Sequence, residues 1–103
     1  MNLIEKYIQY IKDIRRYSVR TVRIYSDVLR NYLCVIHKSE SIDDSVLIDS
    51  LNRSEIRQYE AALLQEGLSP RTVGLHLSAL SGFCRYLMKD GHLKSNPVRL
   101  VTK

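Results

Sequence analysis

The chain has little of what marks most catalytic or membrane-bound proteins. Glycine and proline number only four and two in 103 residues, too few for the turns of an all-β fold. No apolar run approaches the roughly twenty residues of a membrane span. The N-terminus alternates charged with apolar residues, which excludes a signal peptide and points to a cytosolic chain without a membrane partner. A Gly-rich phosphate loop and a nucleophile elbow are both missing. His37, His76 and His92 stand at no metal-ligand or triad spacing, and the paired acids Asp43 and Asp44 fall in a loop facing no partner site. The only cysteines, Cys34 and Cys84, lie inside helical patterns without CxxC spacing. Two buried free thiols are expected, because a reducing compartment disfavours a disulfide. These absences argue against a self-contained enzyme and against a metal or cofactor.

What is present is ordinary globular composition, 45% apolar and 26% charged, enough for one domain with a single modest core. The net charge of +5 is segregated along the chain. Residues 1–38 carry eight bases against three acids, residues 39–68 two bases against seven acids, and residues 69–103 six bases against Asp90 alone. That division suits one basic face turned to a polyanion and an acidic side turned away.

Apolar spacing predicts helices throughout. The first runs from about Asn2 to Arg16, with Ile4, Tyr7, Ile8, Ile11 and Ile14 on one stripe and Asn2/Glu5 as a capping box. A second spans Val19 to Ile36, burying Val22, Tyr25, Leu29, Tyr32, Leu33 and Ile36, with Arg20, Arg23, Asp27 and Arg30 opposite. Residues 37–50 form an acidic connection with room for one turn around Val46-Leu47-Ile48. A third helix opens at Asn52, where Glu55 completes a capping box and Leu51 staples to Ile56. Ile56, Tyr59, Leu63 and Leu64 face inward, and Gly67 ends it. The short loop to Ser69 makes the third and fourth helices neighbours. The fourth helix runs from Ser69 towards Gly91 on a stripe of Val73, Leu77, Leu80, Cys84 and Leu87. Asn96-Pro97 then breaks helical structure, so residues 1–95 form the domain and residues 96–103 read as a linker with nothing to pack against.

Two helix starts repeat. Ser69-Pro70-Arg71-Thr72-Val73 echoes Ser18-Val19-Arg20-Thr21-Val22, fifty-one residues upstream. Serine caps the first turn, and Pro70 fits the first helical position because its missing N–H has no partner there. Such an end also offers free amides, a positive dipole and an arginine to a phosphate. Capping alone does not require the same arginine and valine in both copies. Further along the fourth helix, Gly74, Ser78, Ser81 and Gly82 make a strip of small residues. It serves either close helix packing or the entry of the helix into a major groove.

These residues carry a resemblance. Ser18-x-Arg20-Thr21-Val22-x-x-Tyr25-x-x-x-Leu29-x-x-Tyr32-Leu33 resembles the N-terminal core-binding, SAM-like domain of tyrosine site-specific recombinases, the phage-integrase family. So does Leu68-Ser69-x-x-Thr72-Val73-x-x-x-Leu77-Ser78-Ala79-Leu80-x-x-Phe83-x-x-Tyr86-Leu87, and Asn96-Pro97 falls where that family passes to its catalytic domain. The resemblance implies an all-α orthogonal bundle of four helices plus a short extra turn, clamping double-stranded DNA opposite a separate catalytic domain. It implies DNA contacts from Ser18, Arg20, Thr21 and Arg23, from Ser69, Arg71, Thr72, His76 and Arg85, and from Lys94. Family members cleave with a tyrosine, arginines, a lysine and histidines of the catalytic domain, so this segment is expected to bind DNA and cleave nothing. The other implied partners are that C-terminal domain and further protomers in a tetrameric synapse, met through the first helix and the tail after Gly91. Many relatives carry arginine or Asn-Arg where this chain has Gly74, Leu75, Ser81 and Gly82, which implies phosphate-driven binding, micromolar or weaker. The competing reading is a helical protein-interaction domain meeting an acidic partner. A helix-turn-helix regulator fits poorly, because the loops and helix lengths do not form a short recognition unit.

Overall fold

Among the described residues five α-helices form, and capping side chains set where most of them start. The computed structural model describes residues 2–100, among which no strand occurs. We label the helices α1 (Leu3–Asp13), α2 (Val19–Tyr32), α3 (Asp44–Ser50), α4 (Arg53–Gln65) and α5 (Pro70–Lys89). A π-helical turn, Leu33–His37, continues α2, and a 3-10 turn, Pro97–Leu100, follows α5. At α1 the capping box is reciprocal: Asn2 Oδ1 accepts from the Glu5 amide at 2.8 Å, and the Asn2 amide donates to Glu5 Oε1 at 3.0 Å. The Leu3 amide has no partner inside its own helix and donates to Asp44 Oδ1 at 3.1 Å. Asp44 therefore ties the start of α3 to the start of α1 instead of standing in a loop. At α4 only the forward half of the box forms, because the Asn52 amide turns to the Ser50 carbonyl.

The core is organised on α5. Val73, Leu77, Leu80, Cys84 and Leu87 are all buried along it, and α1, α2, α4 and the 3-10 turn pack around it. Aromatic pairs lock the layers: Tyr7 of α1 tilts onto Phe83 at 5.3 Å between centroids, and Tyr32 of α2 meets Tyr59 of α4 edge-on at 5.2 Å. Leu51 and Ile56, the expected staple, are both buried. Gly67 and Gly91 adopt φ of +89° and +81°, the left-handed turn after α4 and α5 that glycine accepts without strain.

Several boundaries and burials differ from the apolar pattern. α1 ends at Asp13, because Arg16 takes φ +53° and the Tyr17 amide folds back to the Ile11 carbonyl at 2.9 Å. Ile14 thereby leaves the stripe and is 70% exposed. α2 stops being α-helical at Tyr32. The wider π turn changes the register, and Cys34 comes to the surface as an exposed free thiol, while Cys84 is free and buried. One expected core thiol is thus a surface thiol. The extra turn at Val46–Ile48 is a full seven-residue helix, α3, whose Leu47 enters the core. Leu64 lies on the outer side of α4, 49% exposed. Packing also continues past Ser95: Asn96, Pro97 and Val98 are buried, and the 3-10 turn rests on α4 and α5. Of the expected linker, residues 101–103 lie outside the described residues.

Candidate nucleic-acid interface

The two repeated helix starts are alike at the level of individual bonds. Ser18 Oγ accepts from the Thr21 amide at 3.1 Å and bonds Thr21 Oγ1 at 2.9 Å. Ser69 Oγ accepts from the Thr72 amide at 3.2 Å and bonds Thr72 Oγ1 at 3.1 Å. Each pair has two hydroxyl protons and spends one internally, leaving one to donate outward. The amides of Val19 and Arg20 have no intrahelical partner, and neither has that of Arg71. Because Pro70 carries no N–H, the α5 end presents one fewer donor than the α2 end. No acid stands in either first turn.

Arginine exposure completes both ends. Arg20, Arg23 and Arg71 are exposed, and no hydrogen bond holds their guanidinium groups. Among the described residues the only ion pair within 4.0 Å is His92–Asp90. A basic surface with so little internal pairing keeps its charge for something outside the chain. Among the described residues no hydrogen bond joins the two caps to each other. Tyr25, two turns into α2, lies against Gly82 of α5, about 20 Å along that helix from Ser69 by helical rise.

His76 and Arg85 occupy different surroundings. His76 is half-buried, and its Nδ1 is hydrogen-bonded to the Tyr59 hydroxyl at 2.8 Å, while Tyr59 Oη accepts from Asn31 Nδ2 at 2.9 Å. This chain joins α2, α4 and α5 and leaves Nε2 as the ring nitrogen outside it. Desolvation holds the His76 pKa below the ordinary histidine value, with Glu66 partly offsetting it. Arg85 is exposed and donates to Ser81 Oγ at 2.9 Å, and Asn96 Nδ2 donates to the same oxygen at 2.8 Å. Lys94 is exposed in the turn between α5 and Pro97.

The strip of small residues divides in two. A Cβ on Gly82 would stand 2.7 Å from Tyr7 Oη, so this glycine serves packing between α1 and α5. Ser81 serves the Asn96 contact. Gly74 and Ser78 are exposed, and a Cβ on Gly74 would meet nothing within 4 Å. Around Arg85 the structure also gathers Tyr7, Tyr10, Arg15 and Lys89, which the pattern had assigned to the core or to no role. They come from opposite ends of the chain, so no local spacing announces them. No group of three or more His, Cys, Asp or Glu among the described residues is placed to hold a metal. No helix among them is long and apolar enough to cross a membrane.

Comparison with known proteins bears on this geometry. The sequence profile described as phage integrase, N-terminal SAM-like domain, matches residues 4–91. A tyrosine recombinase XerD of Listeria monocytogenes is 30% identical over 97 residues, covering 94% of this chain and 32% of the relative. A tyrosine recombinase XerC of Methylobacterium nodulans is 33% identical over 86 residues, covering 84% and 27%, and a XerC of Chlorobaculum parvum is 25% identical over 100 residues, covering 95% and 30%. The chain thus spans about a third of the length of the curated relatives it matches. No solved structure matches it.

Proposed function

The chain belongs to the phage integrase N-terminal SAM-like domain family, and from that premise we propose that it is a DNA-binding clamp module of a tyrosine recombinase. In this reading it holds a recombination site in bacterial cytoplasmic DNA for integration or excision, while bond cleavage belongs to a catalytic domain outside these 103 residues. The observation that carries the reading is the duplicated helix start, Ser18/Arg20/Thr21 and Ser69/Arg71/Thr72, each with a free hydroxyl proton, free amides and an unpaired arginine. Arg23, Arg85 and Lys94 add phosphate contacts, and His76 contributes its Nε2. The α2 end, with one more free amide, is the stronger anchor. Exposed Gly74 and Ser78 are where α5 approaches the duplex most closely. Other protomers of a tetrameric synapse meet the domain through α1 and the segment after Gly91.

A salt series on duplex DNA tests this. Log affinity is expected to fall linearly with log salt, and Arg20→Ala or Arg71→Ala each to reduce the slope by about one. A flat salt response, or amide NMR spectra in which duplex DNA at low salt moves neither 18–23 nor 69–76, would overturn the reading in favour of a protein-interaction domain.

A further inference from the structure

Between α1 and the second half of α5 lies an open cavity of about 240 Å³, whose lining reaches Tyr17, the residue before the α2 cap Ser18. Its lining has no acidic residue. Three cations border it, Arg15, Arg85 and Lys89, all exposed at their tips. Aromatic rings hold two of them: Lys89 Nζ sits 5.4 Å from the Tyr10 centroid, and the Arg15 guanidinium 5.7 Å from that of Tyr17. Ser81 fixes the third at 2.9 Å. Asp90 bears on the Tyr86 hydroxyl and stands 4.0 Å from His92.

The floor of the cavity is the telling part. Tyr7 is only 2% exposed, yet its hydroxyl has no hydrogen-bond partner among the described residues, of which only Tyr32 has an enclosed, unsatisfied side-chain atom. The Tyr7 oxygen therefore opens to the cavity, and it does so where Gly82 supplies no Cβ; an alanine there would place carbon 2.7 Å from it. Desolvation raises the Tyr7 pKa, helped by Tyr17 and Tyr25 and opposed by Arg85 and Arg15, so the group stays a neutral O–H donor. At Tyr10 desolvation is outweighed by the hydrogen bond and charge of Lys89 and the influence of Arg15, which lower its pKa and report a positive local potential. A hydroxyl donor at the cavity floor with no partner among the described residues, bordered by three cations in a lining without acids, suits an oxyanion.

We propose that the cavity bordered by Tyr7, Arg15, Arg85 and Lys89 binds a phosphate group, with Tyr7 Oη as its buried donor. The phosphate is either a backbone phosphodiester of bound DNA or a free phosphate, and the two share the same chemistry. Titrating inorganic phosphate against chloride at matched ionic strength, followed by amide NMR, is expected to give saturable shifts at Tyr7, Gly82, Arg85 and Lys89. Tyr7→Phe, which keeps the ring and its packing, and Lys89→Gln should each weaken that binding roughly tenfold, the loss of one charge-assisted hydrogen bond. Absence of saturable shifts, or shifts unchanged in both variants while their spectra show a native fold, overturns the proposal. A second arm uses duplex DNA. If Tyr7→Phe and Arg15→Gln also weaken DNA binding, the phosphate is the backbone's; if they weaken the phosphate shifts but leave DNA binding unchanged, the ligand is free phosphate. Failure at this cavity with intact dependence on Arg20 and Arg71 would leave the clamp reading standing.

Discussion

At the scale of single residues, the Asn31–Tyr59–His76 chain couples stability to pH. Tyr59 Oη accepts from Asn31 and is hydrogen-bonded to His76 Nδ1, and partial burial of the ring favours its neutral form. Desolvation lowers the folded pKa of His76, with Glu66 opposing. The unfolded chain therefore binds this proton more readily than the folded one. Stability from the neutral ring is present above about pH 6.5, the ordinary histidine value, and is lost as pH falls from there through the depressed folded pKa. The thermal midpoint should drop between about pH 7.5 and 5.5 and do so less in His76→Gln, whose amide oxygen can still accept from Tyr59. Equal pH slopes in the two proteins would remove His76 as the cause. None of this was legible in the sequence. His76 there is one donor on a basic helix, and the partners that half-bury it lie on two other helices.

Among the elements, the helix starts were legible and the helix ends less so, for a physical reason. An N-cap is a short-range bond between residues three apart, and Asn2, Ser18, Asn52 and Ser69 all make it with their N3 amides. The ends after α4 and α5 were marked by Gly67 and Gly91. The end of α1 is set by Arg16 at φ +53° and that of the π turn by Lys38 at φ +55°, and neither residue type announces a left-handed backbone. Ile14 was misplaced for this reason, and Cys34 because the π turn that continues α2 changes the register of its face. The small-residue strip shows the same limit: its spacing was visible, but only packing separates Gly82, which Tyr7 occupies, from Gly74, which nothing occupies. That difference can be measured. Gly74→Ala should stabilise the protein by about 1 kcal/mol, since helix interiors favour alanine and the added carbon has free space. If α5 approaches DNA closely at Gly74, the same variant binds DNA more weakly despite its higher melting temperature. Unchanged affinity in a stabilised Gly74→Ala protein would confine the close approach to other residues.

Over the whole molecule, the segregation of charge and the all-helical architecture were readable because both are sums over many residues and survive local error. The extent of the packed unit is not such a sum. Asn-Pro at 96–97 reads as a break in helical structure, yet Pro97 opens the 3-10 turn, and whether these residues pack depends on a surface assembled by α4 and α5. Val98 is 1% exposed there, Asn96 is 6% exposed, and Asn96 bridges by Nδ2 to Ser81 and by Oδ1 to the Val98 amide at 3.0 Å. Burying one valine side chain contributes roughly 1.5–3 kcal/mol. Removing Asn96 also strips Ser81 of a buried partner, at a further cost of about 1 kcal/mol. For a domain of this size, each kcal/mol corresponds to a shift of about 4–8 °C in Tm. A chain ending at Ser95 should therefore melt more than about 8 °C below one ending at Lys103. Equal midpoints would mean that the 3-10 turn adds no stability despite its burial. The same loss should reach the Arg85 cavity, because Ser81 orients Arg85 and Asn96 orients Ser81. The chain ending at Ser95, compared at a temperature where both proteins are folded, should then show weaker phosphate-dependent shifts at Arg85 as well.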